Sequence, residues 1–174
     1  LLNKELKKVD PFAPNITKEE VAMVIQECKQ NFWYYIREIA RAPGLAGSDP
    51  RPFRANRGNI SLYWLFFNHV LTILIQIRQS GKSFGMDTLN RYLLNVRCKD
   101  TDIILITKDE DLRSQNLARM KEIEDVLPFY LKLRTRNDLA NTEELTIRAL
   151  GNTYKGLLAQ KSPKLALNLG RGLT

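Results

Sequence analysis

The sequence contains few of the residues that build metal sites and disulfide frameworks. It has one histidine, His69, and two cysteines, Cys28 and Cys98, which stand far apart and outside any CxxC motif. A structural zinc site needs about four such ligands at short spacings, and a disulfide framework needs a larger even set of cysteines. The sequence therefore predicts two buried thiols in a reducing compartment and no zinc site.

A secretory signal is also missing. The N-terminal stretch LLNKELKKVDPF has no long apolar core and no small-residue cleavage site, so we expect an intracellular protein. Residues 59 to 77 (NISLYWLFFNHVLTILIQI) contain no Asp, Glu, Lys or Arg, and their number is close to the roughly 20 that a bilayer span requires. Asn68-His69 interrupts this stretch, however, and such polar groups are costly in hydrocarbon. We therefore predict a buried helix followed by a β-branched strand, and no membrane partner.

Acidic residues are the minority charge. The chain of 174 residues carries 27 Lys and Arg against 19 Asp and Glu, a formal net charge of +8. Such a surface attracts polyanions such as nucleic acid or acidic headgroups. The densest basic run is residues 131 to 137 (LKLRTRN), where contact with DNA would be through phosphates, without sequence preference and with strong salt dependence.

The N-terminal part of the chain reads as a helix and a linker. Thr17 and Glu20 have the spacing of a capping box, and apolar residues then recur at steps of three and four to about Arg41. Pro43-Gly44 ends this pattern, and the chain through Pro52 reads as a loop. We therefore predict an N-terminal helical segment and linker over residues 1–52, followed by a second unit over residues 53–174.

The second unit alternates between helical and strand patterns. We predict a sheet that is parallel and covered on both faces, with a hairpin turn at Gly151-Asn152. The predicted helices and strands, in order, are a helix near 60 to 68, a strand near 71 to 77, a helix over 82 to 94, a strand over 101 to 107, a helix over 108 to 127, and strands near 145 to 150 and 155 to 161.

Gly81-Lys82-Ser83 has the form of the second half of a phosphate-binding loop. The full pattern is GxxxxGK[ST] between a strand and a helix, and Gln76 stands where the first glycine is expected. In such a loop, backbone N–H groups and the lysine hold phosphates, and the hydroxyl coordinates Mg²⁺. The alternative is that Lys82 is only a solvated residue at a helix start. A cation in the first turn opposes the helix dipole unless an anion is present, and Arg78 adds a second cation that could sense the γ-phosphate.

The segment RQSGKS, residues 78 to 83, resembles the deviant Walker A motif of the large terminase subunits of tailed bacteriophages. These ATPases drive double-stranded DNA into a procapsid, and their motif often lacks the first glycine. The resemblance implies an α/β fold with a P-loop NTPase (ASCE-type) core, an ATPase activity, and ATP and Mg²⁺ as cofactors. It implies catalytic roles for Lys82 and Arg78 and a Mg²⁺ contact for Ser83. The implied nucleotide-binding residues are Arg78, Gln79, Ser80, Gly81, Lys82, Ser83 and Phe84.

The resemblance extends beyond this motif. Residues 28 to 43 are similar to the aromatic helix that precedes the family's ATPase core, and residues 104 to 128 resemble its second strand and following helix. The segment 53 to 70 lies where the family contacts adenine, which implies contacts from Phe53, Arg54 or Arg57. Residues 168 to 174 resemble the Arg-Gly segment before the Walker B strand.

The acidic residues of the Walker B motif are not apparent in the sequence. Asp109 and Glu110 follow the strand next after the loop, so we read them as first-turn carboxylates of a helix rather than as a magnesium site. We therefore expect an N-terminal part of the ATPase domain that stops before the Walker B strand and is weak or inactive by itself.

By resemblance, the partners are double-stranded DNA, a portal protein and a small terminase subunit, and the parent protein forms a ring oligomer. The implied location is the host cytoplasm during infection, and transiently the viral procapsid. Two alternatives stay open: a helicase-like DNA-remodelling ATPase, and a non-catalytic basic module that binds nucleic acid or protein.

Overall fold

The computed structural model of the chain describes residues 1–44, 48–75 and 81–159. Its helices and strands, in chain order, are α1 (Lys18–Gln30), α2 (Phe32–Tyr34), β1 (Arg41–Ala42), β2 (Arg51–Pro52), α3 (Arg57–Phe67), α4 (Lys82–Tyr92), β3 (Asp102–Thr107), α5 (Glu110–Asp125), β4 (Glu144–Ile147) and β5 (Asn152–Leu158). The shorter helical segments are the 3-10 turns Lys4–Lys8, Phe129–Leu131 and Arg148–Leu150 and the π turns Tyr35–Ile39 and Leu93–Arg97. The predicted helices near 60 to 68, over 82 to 94 and over 108 to 127, and the strand over 101 to 107, are confirmed.

The N-terminal helix begins as predicted and ends differently. The Thr17 hydroxyl accepts from the Glu20 N–H at 3.2 Å, and the Glu20 carboxylate accepts from the Thr17 N–H at 2.9 Å, so the capping box is present. The prediction of one helix to about Arg41 is wrong, because α1 ends at Gln30. The Asn31 side chain accepts from the Tyr34 N–H and starts α2, which continues as a π turn to Ile39. An asparagine that satisfies the N–H groups of a new helix competes with continuation of the old one.

The strand predicted near 71 to 77 is absent from the residues that the structure describes. Residues 71 to 75 form no strand, and Leu71, Ile73 and Ile75 are 98%, 87% and 90% exposed. Strand propensity expresses packing against neighbouring strands, and none of the described strands pairs with this segment. Its local bonds are turn bonds instead, such as the one from the Thr72 hydroxyl to the Val70 carbonyl at 2.9 Å. Gln76 and Ile77 lie outside the described residues.

The sheet is mixed rather than parallel. It has three strands in the order β3-β5-β4, with β3 parallel to β5 and β4 antiparallel to β5. The predicted parallel pairing is therefore found between β3 and β5, and it is wrong for β4. The connection from β4 to β5 is a single short turn, which permits only antiparallel pairing. Gly151 lies in that turn with φ +68°, so the predicted hairpin at Gly151-Asn152 is confirmed.

Two apolar cores hold these elements together. The first joins α1 and α2 to α3 and α4, and its buried residues include Cys28, Phe32, Tyr63 and Tyr92. The second lies between α5 and the sheet and contains Leu117, Met120, Leu145, Ile147 and Tyr154 together with Leu94. Both cysteines are free, with Cys28 buried as predicted and Cys98 half-buried. The architecture is thus a mixed α/β fold, in which the boundary at residues 52 and 53 stays a prediction.

Among the described residues, no helix combines the length and the apolar character that crossing a bilayer requires.

Candidate phosphate-binding site

The Gly81-Lys82-Ser83 motif lies at the start of helix α4. Gly81 is the N-cap residue and adopts a left-handed conformation, with φ +74° and ψ 11°. The Gly85 N–H donates to the Gly81 carbonyl at 2.9 Å, which is the first bond of the helix. Lys82 is the first helical residue and is half-buried, whereas Ser83 is exposed. Of the predicted nucleotide-binding residues, Arg78, Gln79 and Ser80 lie outside the described residues.

A second helix N-terminus lies beside that of α4. The Asn56 side chain caps α3 by accepting from the Asn59 N–H at 2.9 Å. The amide nitrogen of the same side chain is 4.0 Å from the point where a Cβ on Gly81 would lie. A Cβ on Gly85 would approach Asn59 Oδ1 to 2.6 Å, and the Tyr63 hydroxyl donates to the Gly85 carbonyl at 2.8 Å. The absence of a side chain at Gly85 thus allows the first turns of α3 and α4 to meet, whereas at Gly81 it is the positive φ that favours glycine.

These two first turns differ in charge from those of the other long helices. The first turns of α1 and α5 contain acidic pairs, Glu19-Glu20 and Glu110-Asp111, which complement the helix dipole. Neither α3 nor α4 has an acidic residue in its first turn, and their first residues are Arg57 and Lys82. Two helix N-termini that begin with a cation and lack acidic residues therefore lie close together, and the N–H groups and dipole of a helix N-terminus favour an anion.

The segment predicted to contact adenine lies beside the same helix start. The rings of Phe53 and Phe84 are 5.3 Å apart between centroids, with an angle of 51° between their planes. Phe53 and Phe84 are half-buried, and Arg54 and Arg57 are exposed. The structure therefore brings Phe53 against Phe84 in the first turn of α4, whereas Arg54 is exposed and Arg57 is the exposed first residue of α3.

The acidic residues after β3 have the structural role predicted for them. The Asp109 side chain caps α5 by accepting from the Leu112 N–H at 2.9 Å, and Glu110 lies 4.0 Å from Arg113 in the first turn. Over residues 1–44, 48–75 and 81–159, no group of three or more His, Cys, Asp or Glu side chains is placed to hold a metal ion. The predicted Mg²⁺ contact at Ser83 stays a prediction.

Buried charges lie further along α4. Asp87 pairs with Arg119 of α5 at 2.5 Å, and Arg91 lies 3.4 Å from Glu124. Glu124 also accepts from Arg134 at 2.8 Å. Burial raises the pKa of Asp87 to about 6, although Arg119 acts in the opposite direction. These pairs fix α4 against α5 and so hold the first turn of α4 in place.

Sequence reasoning did not identify Asn56 and Asn59 as parts of this site. An asparagine directly before a helical run is a common N-cap, so Asn56 carried a usable signal. The contact between Asn59 and Gly85 carried none, because it depends on how two helices pack. No protein-family model matches this chain, and no curated protein matches it either.

Proposed function

We propose that the chain binds ATP as the nucleotide-binding part of a viral DNA-packaging motor of the large-terminase type, with a P-loop NTPase core. The observation that carries the proposal is the meeting of two helix N-termini that begin with Arg57 and Lys82 in place of acidic residues. One of these helices begins at the Gly81-Lys82-Ser83 motif, which is where a phosphate-binding loop places its glycine, lysine and hydroxyl.

The proposed binding mode assigns each group a role. The N–H groups of the first turn of α4 donate to phosphate oxygens, and Lys82 neutralises their charge. Arg78, Gln79 and Ser80 complete the loop, and Arg78 responds to the γ-phosphate. The adenine ring packs against Phe53 and Phe84, with Arg54 and Arg57 at the rim. Bound Mg²⁺, held in part by the Ser83 hydroxyl, would supply electrostatic stabilisation of the triphosphate.

The wider function rests on the resemblance of RQSGKS to the terminase motif. In that function, ATP hydrolysis drives double-stranded DNA into a procapsid, through a ring oligomer that works with a portal protein and a small terminase subunit. The site of action is the host cytoplasm, and transiently the procapsid. We expect the isolated chain to hydrolyse ATP weakly or not at all.

A specific observation favours a second candidate, a non-catalytic basic module that binds nucleic acid or protein. In a P-loop core the strand before the loop is a buried central strand. Leu71 and Ile73 of that segment are instead 98% and 87% exposed. Nucleotide binding separates the two candidates, because the module has no need of ATP.

Equilibrium binding of a fluorescent ATP analogue with Mg²⁺ tests the proposal. We expect Lys82→Ala to weaken binding roughly tenfold or more, because a hydrogen bond to a charged group contributes about 1.5–3 kcal/mol. Lys18→Ala is the matched control, since Lys18 is also the first residue of a helix but is followed by Glu19 and Glu20. Absence of binding at millimolar analogue, or equal effects of the two substitutions, would overturn the proposal in favour of the module.

A steady-state ATPase rate that Lys82→Ala abolishes would contradict the expected low activity.

A further inference from the structure

A groove lies at the opposite end of α4 from the proposed nucleotide site. Its volume is about 580 Å³, and it is formed by the junction of α1 and α2, the end of α3, and the segment after α4. We call it the tryptophan groove, and the lining residues that carry the argument are Lys29, Trp33, Trp64, Phe67, Asn68 and Arg97.

The aromatic side chains of the tryptophan groove are exposed, and two of them, Trp33 and Phe67, pack on a buried ring. Trp33 is 45% exposed and Trp64 is 57% exposed. The Trp33 ring packs edge-on against Phe32 at 5.6 Å, and Phe67 packs on the same Phe32 at 4.8 Å. Phe32 is itself buried in the first apolar core. The groove therefore presents large π surfaces on a rigid floor, as surfaces that stack nucleobases do.

The charges of the tryptophan groove are all positive. Lys29 and Arg97 are exposed, and Arg97 Nη1 donates to the Lys29 carbonyl at 3.5 Å, so the Arg97 guanidinium lies beside the backbone of Lys29. Among the lining residues that the structure describes there is no aspartate or glutamate. The Asn68 amide nitrogen donates to the Trp64 carbonyl at 2.8 Å, and its Oδ1 can accept from a base edge. A groove that binds an apolar protein segment would instead be lined by aliphatic side chains. A basic rim next to aromatic surfaces favours a nucleotide, because its base stacks on the rings and its phosphate pairs with the cations.

We propose that the tryptophan groove binds single-stranded nucleic acid, with unpaired bases stacked on Trp33 and Trp64 and the backbone phosphates paired with Lys29 and Arg97. This proposal is independent of the nucleotide site. The 11 residues of α4 separate the two, a distance of ~16 Å at 1.5 Å per residue. A nucleic-acid duplex cannot bind in this way, because its bases are stacked on one another and are not available to stack on the tryptophan rings.

Tryptophan fluorescence reports directly on this groove, because Trp33 and Trp64 are the two tryptophans of the chain. We expect an oligothymidylate of about ten nucleotides to quench that fluorescence and the quenching to weaken as salt rises. An abasic oligonucleotide of the same length and charge is the control for purely electrostatic attraction, and we expect it to bind at least about fivefold more weakly.

Substitutions locate the binding. We expect Trp64→Ala and Arg97→Ala each to weaken binding of a dye-labelled oligothymidylate, measured by anisotropy, about fivefold or more. Phe129→Ala and Lys108→Ala remove an exposed aromatic ring and an exposed cation elsewhere, so both should bind as the wild type does. Unchanged binding by both groove variants, equal affinity for the abasic chain, or tighter binding of a duplex or of an acidic aromatic peptide would each overturn the proposal.

Discussion

At the scale of single residues, the fold changes the pKa of Asp87, a carboxylate of α4. It is 3% exposed, and burial raises its pKa from the ordinary 3.8 of an aspartate to about 6. Arg119 at 2.5 Å and the nearby Arg91 favour the charged form, and Tyr154 adds a neighbouring hydroxyl from the sheet. The desolvation of the carboxylate outweighs the attraction of both cations.

This raised pKa predicts a pH-dependent stability. Because the folded pKa exceeds the unfolded one, Asp87 stabilises the fold when it is protonated, and this contribution is lost as pH rises through 6. The wild type should lose about 2 kcal/mol of unfolding free energy between pH 4 and pH 7 relative to Asp87→Asn, which does not titrate. Urea unfolding at several pH values measures the difference, with helix content at pH 7 as the control for folding. A difference that is constant over this range would contradict the prediction.

Asn56 and Asn59, which lie at the candidate phosphate-binding site, differ in how much of their role follows from the sequence. Asn56 precedes a helical run, so its capping role follows from local chemistry. Asn59 lies inside α3, and nothing in its neighbours along the chain indicates that it meets Gly85. Local side-chain roles can be predicted from sequence, whereas contacts between helices depend on packing.

At the scale of elements, helices α4 and α5 are joined by a buried ion pair. Arg91 is 1% exposed and lies 3.4 Å from Glu124, and it also donates to Asn95 at 3.2 Å and to the Met120 carbonyl. Burial lowers the pKa of Arg91, and Glu124 opposes this effect. A buried charge needs its partner, because the desolvation cost remains when the partner is removed.

Glu124→Gln should therefore destabilise the protein by about 3–5 kcal/mol, since it removes the carboxylate that pairs with the buried Arg91 and also with Arg134. The matched control is Glu38→Gln, which breaks the exposed Arg37–Glu38 pair and should cost less than about 1 kcal/mol. Chemical denaturation of both variants gives the comparison. Equal losses would show that the Arg91–Glu124 pair does not hold α4 on α5.

The helices were more predictable than the strands. The start of α1 at Thr17, the start of α5 at Asp109 and the turn at Gly151 follow from capping and turn residues, which act within a few positions. The break at Asn31 and the missing strand after α3 were not predicted. In both places, hydrogen bonds between nearby residues compete with packing against residues far along the chain. The secondary-structure propensity of a segment does not determine which of the two is more stable.

At the scale of the whole molecule, the exposed segment after α3 distinguishes two architectures. A central strand would bury Ile73, whereas the structure leaves 87% of it exposed and places the described apolar cores elsewhere. Ile73→Ala should therefore change the free energy of unfolding by no more than about 0.5 kcal/mol. Ile39→Ala is the control in the first core, where the loss should be about 2–5 kcal/mol. A loss above 2 kcal/mol at Ile73 would indicate that the segment is packed as a strand.

The sequence by itself determined the helix starts, the hairpin turn, the excess of positive charge and the Gly81-Lys82-Ser83 element, because each depends on composition or on neighbours within a few residues. Only the tertiary structure decided that the sheet is mixed, that residues 71 to 75 are exposed, and that the first turns of α3 and α4 meet at Gly85. It also brought Trp33 and Trp64 to one groove. These features depend on which apolar surfaces of the helices and strands pack together. The most stable packing is determined by all parts of the chain at the same time, so local sequence does not reveal it.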